Sequence, residues 1–276
     1  PHMSQNTVEP YNAARFLQAL RDSSVGLSVL LDNESMYKIC ATKLGVEQPS
    51  YTNINRLVAQ SVSSLTAPLR FRGDSCRSIR DLSSWLVPNP NTKFLVPSLA
   101  PLLSVEQAAS GRQPSVPEMT VSVFEPASSL LTCDRRGCKE LACHLLYRGD
   151  VQPCEVYAPI AVMKKHLGFV DWSPLGLQHT LSPCPVRAVP GGDLPALTRA
   201  CAAFSQTTAV TEAFRRVSSQ YRLLYEKRAF VHWLVGEGIE SGELGQNRDN
   251  LDALCDAYRD LAGMGDASEE AEADEE

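Results

Sequence analysis

A chain of 276 residues, 43% hydrophobic and 21% charged, has enough apolar material for the core of one large or two ordinary domains and the composition of a soluble globular protein. Its most apolar stretch, from Phe94 to Val105, is short and interrupted by prolines, which excludes a transmembrane helix there. Nine cysteines, odd in number and irregular in spacing, exclude an obvious disulfide framework.

Pro1-His2-Met3 reads as a cloning scar, and the residues after it carry neither a basic leader nor a signal-like apolar run. The chain therefore reads as soluble and intracellular. A helix is expected over Ala13–Leu20, a buried strand over Val25–Leu31 and a second helix over Ser35–Leu44. Ser50 is a good N-cap, and Ile54, Leu57, Val58, Val62 and Leu65 recur at helical spacing after it, so 51–66 reads as a buried helix that Pro68 ends.

From 71 to 205 short apolar runs alternate with proline-rich turns. Thr120–Phe124, Ala142–Tyr147, Ile160–Met163 and Ala200–Ala203 read as strands of one sheet, and Ser75–Leu86, Pro126–Leu131 and Pro153–Lys165 as helix candidates. The spans 160–163 and 153–165 overlap, so the two readings of that segment stay open. After Gln206 the chain turns helical through about Val235, and Gly236 and Gly238 make a break. A second amphipathic helix follows, with Leu251, Leu254, Cys255, Tyr258 and Leu261 on one face, so the two helices form a hairpin.

The net charge of −6 is unevenly placed: 266–276 holds seven acids, and the rest of the chain sums to +1. Such a run has nothing to bury and repels itself, so it is expected to be disordered and to attract basic partners. Cys133, Cys138 and Cys143, with His144, form the one cysteine cluster; steps of five residues do not match the CxxC pairs of a zinc site, and buried free thiols are expected instead. No metal site is expected. His232, between Val231 and Trp233, reads as a structural histidine rather than a base. No GxxxxGK[ST], GxGxxG after a strand, GxSxG or HExxH occurs.

Several strings add up to a resemblance. Val8-Glu9-Pro10-Tyr11-Asn12, Tyr51-Thr52-Asn53-Ile54-Asn55-Arg56-Leu57, Leu145-Leu146-Tyr147-Arg148-Gly149-Asp150-Val151, Phe169-Val170-Asp171-Trp172, and Lys227-Arg228-Ala229-Phe230-Val231-His232-Trp233 with Gly236-Glu237-Gly238 are similar to tubulin, in that family's order and spacing. Val189-Pro190-Gly191-Gly192-Asp193-Leu194 resembles the longer loop of the alpha class, and the acidic tail completes a divergent alpha-type pattern. The resemblance covers the second half of that family; the glycine-rich phosphate loop of its first half has no counterpart here.

That resemblance implies an α+β fold: a tubulin-type intermediate domain, with a mixed β-sheet and flanking helices, then an α-helical hairpin and a disordered acidic tail. The implied organisation is 4–50 as the end of a nucleotide-binding domain, 51–70 as a central core helix, 71–205 as the intermediate domain, 206–262 as the helical domain and 263–276 as the tail. It also implies a site. Asn33 and Asn55 match the asparagines that read the edge of guanine, since an amide offers donor and acceptor together. Tyr51 matches the aromatic that stacks on the base, and Glu9 the carboxylate that accepts from a ribose hydroxyl.

In FRGDSCRSIRD, residues 71–81, the resemblance implies the segment by which one subunit reaches the next subunit's nucleotide. The alpha pattern there is roughly GxxNxDxxE. Gly73 is kept, Cys76 stands for the Asn, Ser78 for the first acid and Asp81 for the last, which makes Asp81 the candidate catalytic acid. Arg72, Arg77 and Arg80 add positive charge beside a triphosphate, which favours binding over the positioning of water. In the lateral loop, 104–116, Ala108-Ala109-Ser110-Gly111 stands where the class carries a Tyr or His, and on the last helix Gln246, Asn247, Asn250 and Arg259 stand where the family is often acidic.

The implied function is a cytoskeletal subunit that binds GTP, with Mg held by the family's first half, pairs with beta-tubulin and forms microtubules. Microtubule-associated proteins and motors are the further partners, on the last helices and the tail; no nucleic acid and no membrane is expected, and the location is the cytoplasm and cytoskeleton. The alternative is a divergent homologue that acts as a binding module for tubulin or associated proteins and enters ordinary lattices poorly. A stand-alone enzyme fails for want of a phosphate loop.

Overall fold

The computed structural model describes residues 6–71, 78–111, 113–173 and 176–263. The expectations placed on residues 1–3, on Arg72, Gly73, Asp74, Cys76 and Arg77, and on the tail from 264 lie outside the described residues. In chain order the elements are α1 (Glu9–Asp22), β1 (Ser28–Val29), α2 (Asn33–Thr42), α3 (Tyr51–Leu65), α4 (Ala67–Arg70), α5 (Ile79–Leu86), β2 (Phe94–Ala100), α6 (Val105–Ala109) and α7 (Val116–Ser122). A 3-10 turn at Pro126–Ser128 leads to β3 (Glu140–Gly149), α8 (Pro153–His166), β4 (Leu177–Ser182), β5 (Arg199–Thr207), α9 (Val210–Glu226), α10 (Val231–Gly236) and α11 (Ser241–Leu261).

The strands form one mixed sheet in the order β1-β2-β5-β3-β4. β5 runs antiparallel to both neighbours, β2 and β3, while β1 and β4 add in parallel at the two edges. Pro97 is tolerated inside β2 because its carbonyl faces away from β5 and accepts from the Leu130 N–H at 2.9 Å. The nitrogen of a strand residue points to the same side as its carbonyl, so no ladder bond is lost.

Alternation along the strands feeds separate cores. Leu95, Leu99, Leu146, Ala202 and Phe204 pack against Met36, Ile39 and Cys40 of α2 and Ile54 and Leu57 of α3. On the other face Cys143, Leu145, Tyr147, Cys201 and Ala203 meet Val116 and Met119 of α7 and Val156, Ile160 and Met163 of α8. At the far end of that face Phe94, Val96 and Leu141 join Tyr11, Ala14 and Leu17 of α1, Phe214 and Tyr221 of α9 and Leu251, Leu254 and Tyr258 of α11. The hairpin of α9 and α11 thus closes on α1, which Arg21 ties to Asn250 through Nη2–Oδ1 at 3.1 Å. Lys93, only 3% exposed, donates to the carbonyls of Arg21 and Ser23 at the C-terminal end of α1, where a cation meets unpaired carbonyls.

The α+β class, the sheet with flanking helices and the helical hairpin are as expected; several elements are not. Thr120–Phe124 is no strand: Ser115 and Glu118 form a capping box that starts α7, and Val116, Met119, Thr120 and Val123 are buried at helical spacing. Ile160–Met163 lies within α8, the helical alternative, and the expected helix from Pro126 shrinks to one 3-10 turn. Strand pairing from Val25 to Leu31 is confined to Ser28 and Val29. Pro68 sits in the first turn of α4 rather than stopping α3 directly. The helix after Gln206 begins only at Val210 and breaks before α10, where Arg228 and Phe230 adopt φ of 48° and 59°. Tyr11 fixes that break by donating to the Ala229 carbonyl at 3.0 Å. His232, expected as a structural histidine, is exposed and meets the Trp233 ring edge to face, 5.6 Å between centroids. Among the described residues no helix is long and apolar enough to cross a membrane.

His144 of β3 is buried, stacks flat on Trp85 of α5 at 5.4 Å and 2°, and shares a 2.8 Å hydrogen bond between Nε2 and the Thr180 hydroxyl of β4. Burial, helped by His179, pushes its pKa down to about 3. The folded state therefore stays neutral where the unfolded chain takes up a proton, so the stability it confers is full above about pH 6.5 and falls as pH drops through that window. The loss is up to roughly 1.4 kcal/mol per pH unit. Denaturant melts of wild type and His144→Gln at successive pH values should show a shallower acid slope in the variant; equal slopes would mean that His144 is not held neutral. A second test is steric. Gly149 has φ +90°, and a Cβ there would lie 1.9 Å from the Thr198 carbonyl oxygen. Gly149→Ala should lower the unfolding free energy by on the order of 3 kcal/mol in the same melts.

Candidate functional site

α2 starts where Asp32 accepts from the Glu34 N–H at 3.0 Å, a cap that leaves Asn33 exposed as the first helical residue. α3 starts where the Asn53 Oδ1 accepts from the Ser50 N–H at 2.7 Å. Ile54 and Leu57 point into the core, so Tyr51 and Asn55, one turn apart, face outward together. Tyr37, one turn after Asn33, meets Tyr51 edge to face with centroids 6.5 Å apart.

That ring contact joins the two helices that carry the exposed amides, Asn33 one turn before Tyr37 and Asn55 one turn after Tyr51. Tyr51 is 70% exposed, and its outer face is open. An open ring beside two amides suits a flat heterocycle with a mixed donor and acceptor edge, held by stacking and hydrogen bonds. Of the four residues expected at the base side, Asn33 stands on α2 and Tyr51 and Asn55 on α3. Glu9, half-buried, stands in the first turn of α1, on the helix packed against α9 and α11. Tyr37 was missed from the sequence, although its spacing of four from Asn33 was the available signal.

Asp81 is the third residue of α5. Its Oδ2 accepts from the Ser78 N–H at 2.9 Å, and the Asp81 N–H donates to the Ser78 hydroxyl at 3.2 Å. One carboxylate oxygen thus holds the start of its own helix, a role that the Ser-x-x-Asp spacing announces. α5 is seated on the sheet by Leu82 and Leu86, both buried, and by the stack of Trp85 on His144. Arg80 is exposed beside it.

The remaining candidates separate. Cys143 and His144 point to opposite faces of β3, Cys143 into the core and His144 to Trp85. Among the described residues no group of three or more His, Cys, Asp or Glu is placed to hold a metal ion, and the eight cysteines are free. Burial pushes the Cys133 thiol up to about 11 and the Cys143 thiol up to about 12. On α11 Asn247 is 1% exposed, so it faces the hairpin interior rather than a partner. Asn250 is engaged by Arg21, and Arg259 lies 3.4 Å from the Asp256 carboxylate; Gln246 remains exposed. In the 104–116 loop Ser104 and Gln107 cap the short α6, and its C-terminal end presents Ala109, Ser110 and Gly111 to solvent.

The sequence has counterparts among known proteins. A family model described as the tubulin C-terminal domain matches residues 90–219, from the end of the β2 approach into α9. The tubulin alpha-1 chain of Arabidopsis thaliana is 43% identical over 277 aligned positions that take in 100% of this chain and 61% of that protein. The present chain therefore spans about three fifths of the length of the relative it matches. Identity that is collinear from end to end, over a mixed sheet followed by a helical hairpin, places the chain in the tubulin family as an alpha-like member, corresponding to that family's C-terminal portion.

Proposed function

We propose that the full-length protein of which this chain forms part is an alpha-type tubulin subunit of the cytoplasmic cytoskeleton: it pairs with a beta-type subunit, binds GTP and assembles into microtubules. The observation that supports this reading is the contact of Tyr37 with Tyr51, which joins the two helices on which Asn33, Tyr51 and Asn55 stand exposed. Those residues fit the base side of a guanine nucleotide. Tyr51 stacks on the ring, the two amides satisfy its edge, and Glu9 accepts from the ribose. The nucleotide supplies the phosphoanhydride whose cleavage the polymer couples to its dynamics. Asp81 serves the neighbouring subunit's nucleotide as the carboxylate that orients the attacking water. The acidic tail and the last helices attract microtubule-associated proteins and motors.

A second reading, a homologue that engages tubulin or its partners but enters ordinary lattices poorly, is favoured by the 104–116 loop. Small side chains there offer no aromatic anchor to a lateral neighbour, and such an anchor contributes a few kcal/mol to an interface, on the order of 2–4.

Two measurements test these readings. Calorimetric titration of GTP into this chain alone should give binding weaker than about a micromolar, because phosphate charge is uncradled by the residues present; tighter binding would overturn the division of labour. In the full-length protein assembled with a beta subunit, phosphate release should fall for both Asp81→Ala and Asp81→Asn, the latter keeping an acceptor for the Ser78 cap. Asp81→Glu should raise it, since a reach shorter by about 1 Å can cost a factor near one hundred. Unchanged release in Asp81→Asn would remove Asp81 from the chemistry.

A further inference from the structure

α5 is a short helix, Ile79–Leu86, and a helix of that length is held by tertiary ties rather than by its own hydrogen bonds. Leu82 and Leu86, one turn apart and both buried, press one side of it onto the sheet. Apolar contact is not directional, so these two leave the roll of the helix about its axis open. Two further contacts close it. On one flank the Ser83 hydroxyl donates to the Gly26 carbonyl at 3.2 Å. On the other flank Trp85 lies flat on the His144 imidazole, 5.4 Å between centroids and 2° between planes.

The His144 ring is itself fixed. It is buried on β3, a strand flanked by β5 and β4, and its Nε2 shares a 2.8 Å hydrogen bond with the Thr180 hydroxyl. Aromatic stacking prefers particular ring geometries, so the sheet dictates through His144 which way the Trp85 flank of α5 faces. Asp81 precedes Trp85 by one helical turn and stands on that same flank. Its bonds with Ser78 tie it to the start of the helix, so its carboxylate moves as the helix rolls. Side chains reach about 5 Å from a helix axis, and a roll of roughly 10° carries such a group by about 1 Å. Misplacement on that scale can cost a factor near one hundred in rate.

We propose that Trp85 and His144 are positioning residues for hydrolysis of the neighbouring subunit's nucleotide: their stack sets the roll of α5 and with it the place of the Asp81 carboxylate. The inference rests on the reading of Asp81 as the acid that orients water. Neither ring enters the chemistry; both act through Asp81.

The test uses the full-length protein assembled with a beta-type subunit and follows phosphate release in polymer, above each variant's critical concentration. Trp85→Leu keeps apolar bulk and removes the ring plane. Release should slow by about tenfold, the cost of a misplaced catalytic group, while the critical concentration for assembly stays that of wild type. Trp85→Phe, which keeps a ring to stack, should restore most of the rate. His144→Gln removes the ring from the sheet side and leaves an amide for Thr180. It should slow release as Trp85→Leu does, and it carries the test alone where Trp85→Leu does not fold. In Asp81→Asn the rate is already low, and adding Trp85→Leu should lower it no further, because residues that act through one group are not additive. Wild-type release in Trp85→Leu or His144→Gln beside slow release in Asp81→Asn overturns the proposal and leaves Asp81 in its role. A further loss of the same size when Trp85→Leu is added to Asp81→Asn also overturns it, as does a slow rate matched by a raised critical concentration and unrescued by Trp85→Phe. Wild-type release in Asp81→Asn overturns both the proposal and the role of Asp81.

Discussion

Everything in this fold leans on β5, a strand hydrogen-bonded on both edges and buried on both faces. Its run Ala200-Cys201-Ala202-Ala203 is made of small side chains, which lets helices approach the sheet closely from either side. Ala202 and Phe204 look toward α2 and α3, Cys201 and Ala203 toward α7 and α8. A bulky charge at any of these positions has no solvent to reach, and burial of an unpaired charge is among the most costly substitutions a core can receive. The α2–α3 junction inherits its geometry from this arrangement: Met36, Ile39, Ile54 and Leu57 fix both helices on the β5 face, and what remains on their outer flanks is the candidate site.

Burial on both faces also explains which elements could be read from the chain. The amphipathic helices α3, α9 and α11 show their period because one face meets water, and α3 emerges nearly to the residue. β2, FLVPSLA, is buried throughout and so has no alternation, and its proline argues against a strand unless it is known that the Pro97 nitrogen faces away from the β5 ladder. β4, LQHTLS, is too short and mixed to stand out. α7 was lost to its β-branched residues, although the Ser-x-x-Glu cap before it was legible. The break between α9 and α10 falls on Arg228 and Phe230, which occupy the left-handed region without being glycine; only tertiary ties such as Tyr11 to Ala229 impose it. Resemblance supplied Asn33, Tyr51, Asn55 and Asp81, whose residue types alone carry no more than a capping or surface role.

α5 shows how one short helix is seated on the sheet. The Ser78–Asp81 box starts it, Leu82 and Leu86 bury it, and Trp85 lies flat on His144. The stack needs a neutral imidazole whose one hydrogen bond goes to Thr180, and burial provides it. A protonated ring would be desolvated without a counter-charge, so the seat of α5 is least secure in acid.

The ten residues of α2 illustrate the constraint that such a fold places on change. Met36, Ile39 and Cys40 belong to the core, Asn33 and Tyr37 to the junction with α3, and Ser35, Lys38 and Thr42 to the opposite flank. Helical geometry makes these sets rigid with respect to one another: a rotation that improves one flank displaces the other two. Asp32 fixes the start of the helix, and Ser35 bonded to Ser129 fixes its rotation. Pressure on either outer flank is therefore carried by the packing of Ile39 and Cys40 against the sheet, and the helix can shift only as a body, taking the side chains at the junction with it.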